Sequence, residues 1–356
     1  MQLAFATVLP AQPRPIYIIG AGGIVKDAHL PAYKIAGFTV AGITNRSVEK
    51  ANALAQDFGI GAVYPTLQAM VAAAPANAVY DLTLPADQFA AALRLLPVGA
   101  AVLIQKPMGE NLAQAKEILA VCRERKLVAA INFQLCFAPF VLMAREAISK
   151  GLIGDLLDLE VRVTVETPWH LWDFLKGVPD MEIVYHSVHY LDMIRSFLGT
   201  PKAVRTLTLP APSAPGMTAV RSIHSLDYGT NPRVTVETNH GHNFGPRHQE
   251  SYIKWEGTKG AIKAQLGVLM DYPRGVGDWF EICQLQADGK PGEWERVPFT
   301  GSWFPHAFIG AMGELMNHLD NPALPLPHAV EDVYHTMRTV DAAARSSRSG
   351  GVALAD

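Results

Sequence analysis

The sequence predicts an α/β chain whose N-terminal half is a doubly wound parallel sheet, followed by an α+β domain built on a large, mostly antiparallel open sheet. Three observations carry this. Residues 15 to about 134 alternate short apolar strands with helical stretches, the pattern of a parallel sheet with helices on its faces. A glycine-rich turn, Gly20-Ala21-Gly22-Gly23, joins the first strand to the first helix. After Gly151 the period changes: Leu157, Leu159, Val161, Val163 and Val165 alternate with Asp158, Glu160, Arg162, Thr164 and Glu166, so one face is buried and the other polar.

In order, Ile16–Ile19 reads as a buried strand and Val25–Ala36 as a helix. Phe38–Thr44 is a second strand, and Ser47 is placed to cap a helix over Val48–Phe58 that stops at Gly59. Ala78–Leu82, Ala101–Ile104 and Leu127–Phe133 are further strands. The domain boundary is expected near 134–138, which gives a dinucleotide-binding domain over 13–135 and a substrate and oligomerisation domain over 136–356. In the latter, strands are expected at Ala203–Leu209, Ala219–Asp227, Arg233–Thr238, Ser251–Trp255, Ala261–Gln265, Trp279–Gln286 and Trp294–Val297, with helices at His306–Leu319 and Ala329–Arg345. The short apolar run Leu3–Leu9 reads as a disordered or edge segment.

Composition narrows the function classes. The 356 residues suffice for two domains, and a net charge of −3 with no Lys/Arg stripe argues against nucleic acid. Cys122, Cys136 and Cys283 match no zinc spacing, so free thiols in a cytoplasmic, reducing setting are expected. No apolar stretch of about 18 residues occurs to cross a membrane.

Gly20-x-Gly22 lies between strand and helix, where a pyrophosphate sits against a helix N-terminus. Gly20 permits the tight turn and Gly22 the close approach of backbone to phosphate. The third glycine of the usual pattern is replaced by Val25. At the end of the second strand Thr44-Asn45-Arg46-Ser47 offers no carboxylate for a ribose 2′-hydroxyl, while Arg46, with Asn45 or Ser47, suits a 2′-phosphate. NADP is therefore favoured over NAD. Asn132, in the last strand of the run, joins the expected cofactor contacts.

Alcohol oxidation needs a proton acceptor, and histidine titrates in the right range. His189 lies on an expected helix, with Tyr185 and His186 one turn earlier and able to share its face. Tyr185 could give a hydrogen bond to the substrate oxygen or relay a proton, His186 could serve as an alternative base, and either could be a packing residue, so both stand with Lys106 and His189 as candidate catalytic residues. Lys106, ahead of Pro107, falls at the carboxyl edge of the parallel sheet, where ligands bind. The aromatic run Trp169-His170-Leu171-Trp172-Asp173-Phe174 suits a sugar-stacking wall and equally a dimer contact or core, and Trp303-Phe304-Pro305-His306 suits a second wall. The run Asn239-His240-Gly241-His242-Asn243, with His248, would put two imidazoles on one strand face, yet no acidic partner has a clear spacing, so no metal is expected.

These motifs together resemble the glucose-fructose oxidoreductase/inositol dehydrogenase/MocA family over residues 15 to about 350. The resemblance rests on Gly20-Ala21-Gly22-Gly23-Ile24 with His29-Leu30-Pro31, Thr83-Leu84-Pro85, Gln105-Lys106-Pro107, Gly151-Leu152-Ile153-Gly154-Asp155, and His189-x-x-Asp192 followed by Gly199. It implies a Rossmann domain with a second α/β domain, and hydride exchange between a nicotinamide and a secondary alcohol of a sugar, cyclitol or related compound. It also implies that Gly23, Ile24, Thr83 and Pro85 approach the cofactor. Lys106 would contact the nicotinamide ribose and the reacting hydroxyl, and His189 would accept the proton. Trp169, His170, Tyr185 and His189 are expected around the substrate. The chain departs from the family pattern at Gln105, usually Glu, at Val25, and at Tyr185, usually Asp. Alternatives within the resemblance are transient oxidation by a retained nucleotide during elimination or glycoside cleavage, and a non-enzymatic sensor. A homodimer or homotetramer through the open sheet is expected.

Overall fold

The computed structural model describes residues 2–272 and 274–351, so residues 352–356 of the second expected domain lie outside the described residues. The described chain divides into two compact units: residues 6–138 with 303–337, and residues 2–5, 139–302 and 338–351.

The first unit holds a six-stranded parallel sheet. Its strands are β1 (Ile16–Ile19), β2 (Val40–Thr44), β3 (Ala62–Tyr64), β4 (Val79–Leu82), β5 (Ala101–Gln105) and β6 (Val128–Asn132), in the order β3-β2-β1-β4-β5-β6. β1, β4 and β5 are buried along their whole length, as apolar runs covered on both faces must be. The strand order reverses between β1 and β4, and the crevice at such a switch point is where ligands bind. The connecting helices are α1 (Leu30–Ala36), α2 (Val48–Phe58), α3 (Leu67–Ala73), α4 (Phe89–Leu93) and α5 (Leu112–Glu124).

The second unit contains α6 (Pro139–Ser149) and α7 (Val188–Leu198) and an eight-stranded sheet. Its strands are β7 (Leu156–Thr164), β8 (Ala203–Leu209), β9 (Arg221–Asp227), β10 (Arg233–Asn239), β11 (Glu250–Gly257), β12 (Gly260–Gln265), β13 (Trp279–Gln284) and β14 (Glu295–Arg296). The order is β14-β13-β12-β11-β7-β10-β9-β8, and only β7 and β10 run parallel. Leu159, Val161 and Val163 are fully buried, whereas the outer face is laced by Arg162 with Glu237 and Glu250, and by Tyr252 with Glu160. Leu157 is exposed rather than part of the buried row, because the pairing of β7 with β11 shifts register at that end.

Helix α8 (His306–Asp320) belongs with the first sheet, not the second. Phe308, Ala311, Met312, Leu315 and Met316 join Ile16, Ile18, Val25 and Tyr33 in one core. Helix α9 (Val330–Ser349) closes the described chain.

Other departures have local causes. Phe38 is not yet strand: Gly37 ends α1 in a left-handed conformation, and the Phe38 N–H returns to the Tyr33 carbonyl. Ser47 sits at the N-terminus of α2 but gives its hydroxyl to Glu49 instead of capping a backbone N–H. The N-terminal run is not disordered, since Leu3 is buried, the Ala4 N–H donates to Glu146 and the Val8 carbonyl accepts from Asn317.

Candidate active site

In the first unit the expected cofactor residues gather at the carboxyl ends of β1, β2, β4, β5 and β6. Gly20 leaves β1 at φ +120°, and a Cβ there would lie 2.6 Å from the Thr83 hydroxyl and 2.8 Å from its carbonyl oxygen. Only glycine lets β1 turn so tightly against β4. Thr83 is buried and donates both its N–H and its hydroxyl to the Ile19 carbonyl, which pins the ends of the two strands together. Pro85 then leads into a short 3₁₀ turn, Ala86–Gln88.

Above Gly22 no atom lies within 4 Å of where a Cβ would stand, so the backbone is open to a phosphate. The Gly22 carbonyl accepts from the Val25 and Lys26 N–H groups, while Gly23 and Ile24 form the entry to the helix. The third fingerprint glycine normally allows close contact of helix and strand. Val25 is instead fully buried, and the helix widens into a π-turn over Val25–His29.

Beneath this cradle lies a network that the sequence did not suggest. His29 Nδ1 is 2.7 Å from Asp81 Oδ2, Tyr33 donates its hydroxyl to the same oxygen at 2.7 Å, and Asn132 Nδ2 lies 3.4 Å from His29 Nε2. His29, Asp81 and Asn132 are buried, and burial followed by the Asp81 charge raises the Tyr33 pKa well above its usual value. Asn132 Oδ1 and Asp81 Oδ1 have no hydrogen-bond partner, so polar capacity remains beside the switch point. His29 and Asn132 were singled out in the sequence and Tyr33 and Asp81 were not; the strands β4 and β6, on either side of β5, bring them together with the first helix.

Gln105 folds its amide back to accept the Lys106 N–H at 3.1 Å. The Lys106 side chain is partly enclosed, and loss of water around its ammonium lowers its pKa from 10.5 to about 8. At the end of β2, Asn45 Nδ2 donates to the Ser47 carbonyl at 2.9 Å and Arg46 is exposed. These features fit a dinucleotide: an open glycine cradle at a helix start, unused polar atoms, a cation at the strand edge, and a solvent-facing arginine where a ribose would lie.

The second unit carries the histidines. A π-turn over Glu182–Ser187 runs into α7. Such widened turns recur at functional sites. His189, in the first turn of α7, is only 7% exposed. Tyr185 and His186 turn to different surroundings. Tyr185 joins the apolar cluster of Leu175, Met181 and Met217 and meets the Phe174 ring edge-on. His186 turns to a polar cluster: its Nδ1 lies 3.0 Å from Glu182 Oε2, and its ring stacks on His240 with centroids 4.2 Å apart.

Glu182 was missed in the sequence because two of its partners, Thr238 and His240, come from the far end of β10. It is fully buried, and its Oε1 accepts from Thr238 at 2.7 Å and Ser187 at 3.3 Å. Ser222 links Ser187 and Thr238. Burial raises the Glu182 pKa against the opposing influence of His240, Thr238 and Ser187. Burial likewise lowers that of His240 to about 4, so His240 is neutral near pH 7. His240 and His242 do not present together as expected. β10 ends at Asn239, so the strand period no longer applies; His240 is buried, while His242 Nε2 faces the Gly245 carbonyl. Trp169 donates its indole N–H to the His240 carbonyl and lies beside the His186 ring, whereas His170 is exposed next to Asp173.

The cradle, the switch point and the strand order define a dinucleotide-binding α/β protein. The chain belongs to the Gfo/Idh/MocA oxidoreductase family: residues 15–133 match its NAD-binding Rossmann fold and residues 145–354 its C-terminal alpha/beta domain. The 1,5-anhydro-D-fructose reductase of Ensifer adhaerens is 30% identical over 192 residues, which is 52% of this chain and 57% of that protein. The chain thus spans little more than half the length of that relative. An oxidoreductase from Agrobacterium radiobacter, solved with NAD+, L-tartaric acid and magnesium, has a TM-score of 0.77 at 18% identity, covering 95% of this chain and 97% of that one. A levoglucosan dehydrogenase solved with NADH and levoglucosan has a TM-score of 0.75 at 17% identity, with 95% and 98% covered. At these identities the two structures show the fold.

Proposed function

We propose that the protein is an NAD(P)-dependent dehydrogenase or reductase acting on a secondary alcohol or ketone of a sugar, cyclitol or related polyol, with NADP preferred. The observation that carries this is Lys106: an amine at the carboxyl edge of β5, beside an open nucleotide cradle, with a pKa pulled down to about 8. The family membership and the names of the relatives, a sugar reductase and a levoglucosan dehydrogenase, point to the same substrate class.

When bound, the nicotinamide supplies the carbon that accepts or returns hydride. The chain supplies the rest. The backbone at Gly20, Gly22, Gly23 and Ile24 binds the pyrophosphate, with Thr83 and Pro85 shaping the adjoining wall, and Asn45 and Arg46 hold the adenosine ribose and its 2′-phosphate. Asn132 offers its unpaired Oδ1 as an acceptor. The Lys106 ammonium stabilises the negative charge that develops on the substrate oxygen. His189 takes the hydroxyl proton during oxidation and returns it during reduction. Trp169 and His170 line the substrate, and the Tyr185 ring forms an apolar wall.

The test is steady-state kinetics on a polyol panel. Lys106→Ala is expected to lower turnover by roughly a hundredfold or more, and His189→Ala by about 10²–10⁴. Near-wild-type rates in both variants would overturn the assignment.

A further inference from the structure

We propose that Glu182, His186 and His240 form a binding site for a divalent metal ion of the zinc class, built entirely within the second unit. One carboxylate oxygen and one imidazole nitrogen from each histidine lie within 4.8 Å of one another. His186 Nδ1 is 3.0 Å from Glu182 Oε2, and His240 Nε2 is 3.9 Å from Glu182 Oε1. A tetrahedral ion with bonds of about 2.0–2.1 Å sets its donors about 3.4 Å apart, a value these two distances bracket.

Hydrogen bonding accounts for the place of His186 beside Glu182 but not for that of His240. His240 is 3% exposed, and its Nε2 points toward a buried carboxylate oxygen with no hydrogen bond. A buried imidazole nitrogen without a partner carries a desolvation cost, which a metal bond would remove. The outer contacts are those that hold ligands in place. His240 Nδ1 lies 3.2 Å from the Thr167 hydroxyl, and Thr238 and Ser187 fix the Glu182 carboxylate. Two imidazoles with one carboxylate are borderline donors that suit zinc and disfavour magnesium or calcium. The set matches three-ligand sites that keep a fourth position for water. The His186 side chain, 19% exposed, leaves that position reachable from solvent.

The site does not depend on the oxidoreductase reading, and its test reads metal rather than turnover. The whole protein is stripped with a chelator, dialysed and titrated with Zn²⁺ and separately with Co²⁺. We expect about one Zn²⁺ per chain and the intense visible d–d absorption of four-coordinate Co²⁺. Glu182→Gln and His240→Gln should each weaken Zn²⁺ binding by at least about tenfold, since even outer contacts change affinity by 10–100-fold. Should these buried variants fail to fold, His186→Gln and X-ray absorption of the Zn²⁺-loaded wild type, with two imidazole shells expected, test the same ligands. Stripped wild type that takes up no stoichiometric Zn²⁺, or uptake without imidazole ligation or unchanged in a folded variant, would overturn the proposal.

Discussion

At the scale of single residues, two groups make the sharpest predictions. Lys106 titrates near pH 8 because burial disfavours its charged form. The alkoxide stabilisation proposed for it would be present below that pH and fade above it, so the rate should fall through an inflection near pH 8 that Lys106→Ala abolishes. Stability runs the other way. The unfolded chain keeps the proton up to about 10.5, so between about 8 and 10.5 it binds more protons than the folded chain and stability rises with pH. A denaturation midpoint that falls across that window in the wild type relative to Lys106→Met would refute this. Arg46 addresses cofactor choice. Arg46→Ala should weaken NADP by about 1–3 kcal/mol, the worth of a hydrogen bond to a charged group, and leave NAD nearly unchanged. Equal losses by calorimetry, or a wild type that binds NAD alone, would refute the preference. Lys106, Arg46 and His189 were legible in the sequence because each follows a recognisable strand end or motif. Glu182 was not, because nothing local marks a carboxylate whose partners are split between its own turn, at His186 and Ser187, and the end of β10, at Thr238 and His240.

At the scale of elements, the glycine turn after β1 in the first unit and the π-turn before α7 in the second each carry residues proposed to act. A side chain at Gly20 meets Thr83 at 2.6 Å and must hold φ at +120°. Gly20→Ala should therefore cost about 1–3 kcal/mol in chemical denaturation, the usual scale of such backbone strain, and impair nucleotide binding as well. A variant of unchanged stability would mean that the turn relaxes freely. In the π-turn, Tyr185 packs with Phe174, Leu175 and Met217. Tyr185→Phe keeps that ring, so its rate should fall less than about tenfold, short of the range for a lost acid–base group. The strands of the first sheet were legible because apolar runs covered on both faces leave a plain signal. The short strand β3 and helices α3 and α6 were not picked out, whereas the helical stretches after Ala78–Leu82 and Ala101–Ile104 were, as α4 and α5. The widened turns were also missed, because a π-turn adds one residue per turn without changing composition.

At the scale of the molecule, the division of the chain was only partly legible. The change of period after Gly151 marked the second sheet, but nothing in His306–Asp320 announces that its apolar face returns to the core of the first unit. That allegiance depends on packing against α1, β5 and β6, not on any local pattern. The open sheet keeps a charged outer face, yet Leu207 and Ile223, paired across β8 and β9, are each 51% exposed. We expect this apolar corner to be covered in a homodimer or homotetramer. Light scattering should give at least twice the mass of the 356-residue chain, and Ile223→Lys should lower it. A stable monomer at micromolar concentration would contradict this.

Oxidoreductase activity on polyols is tested most directly by nicotinamide turnover of the purified protein, followed by absorbance with NADP and NAD across sugars, cyclitols and uronates, beside Lys106→Ala. We expect polyol-dependent reduction of the nucleotide, faster with NADP and roughly a hundredfold slower in the variant. A nucleotide that binds but never turns over with any polyol or ketone, or turnover that Lys106→Ala leaves intact, would show that the site does not perform this chemistry.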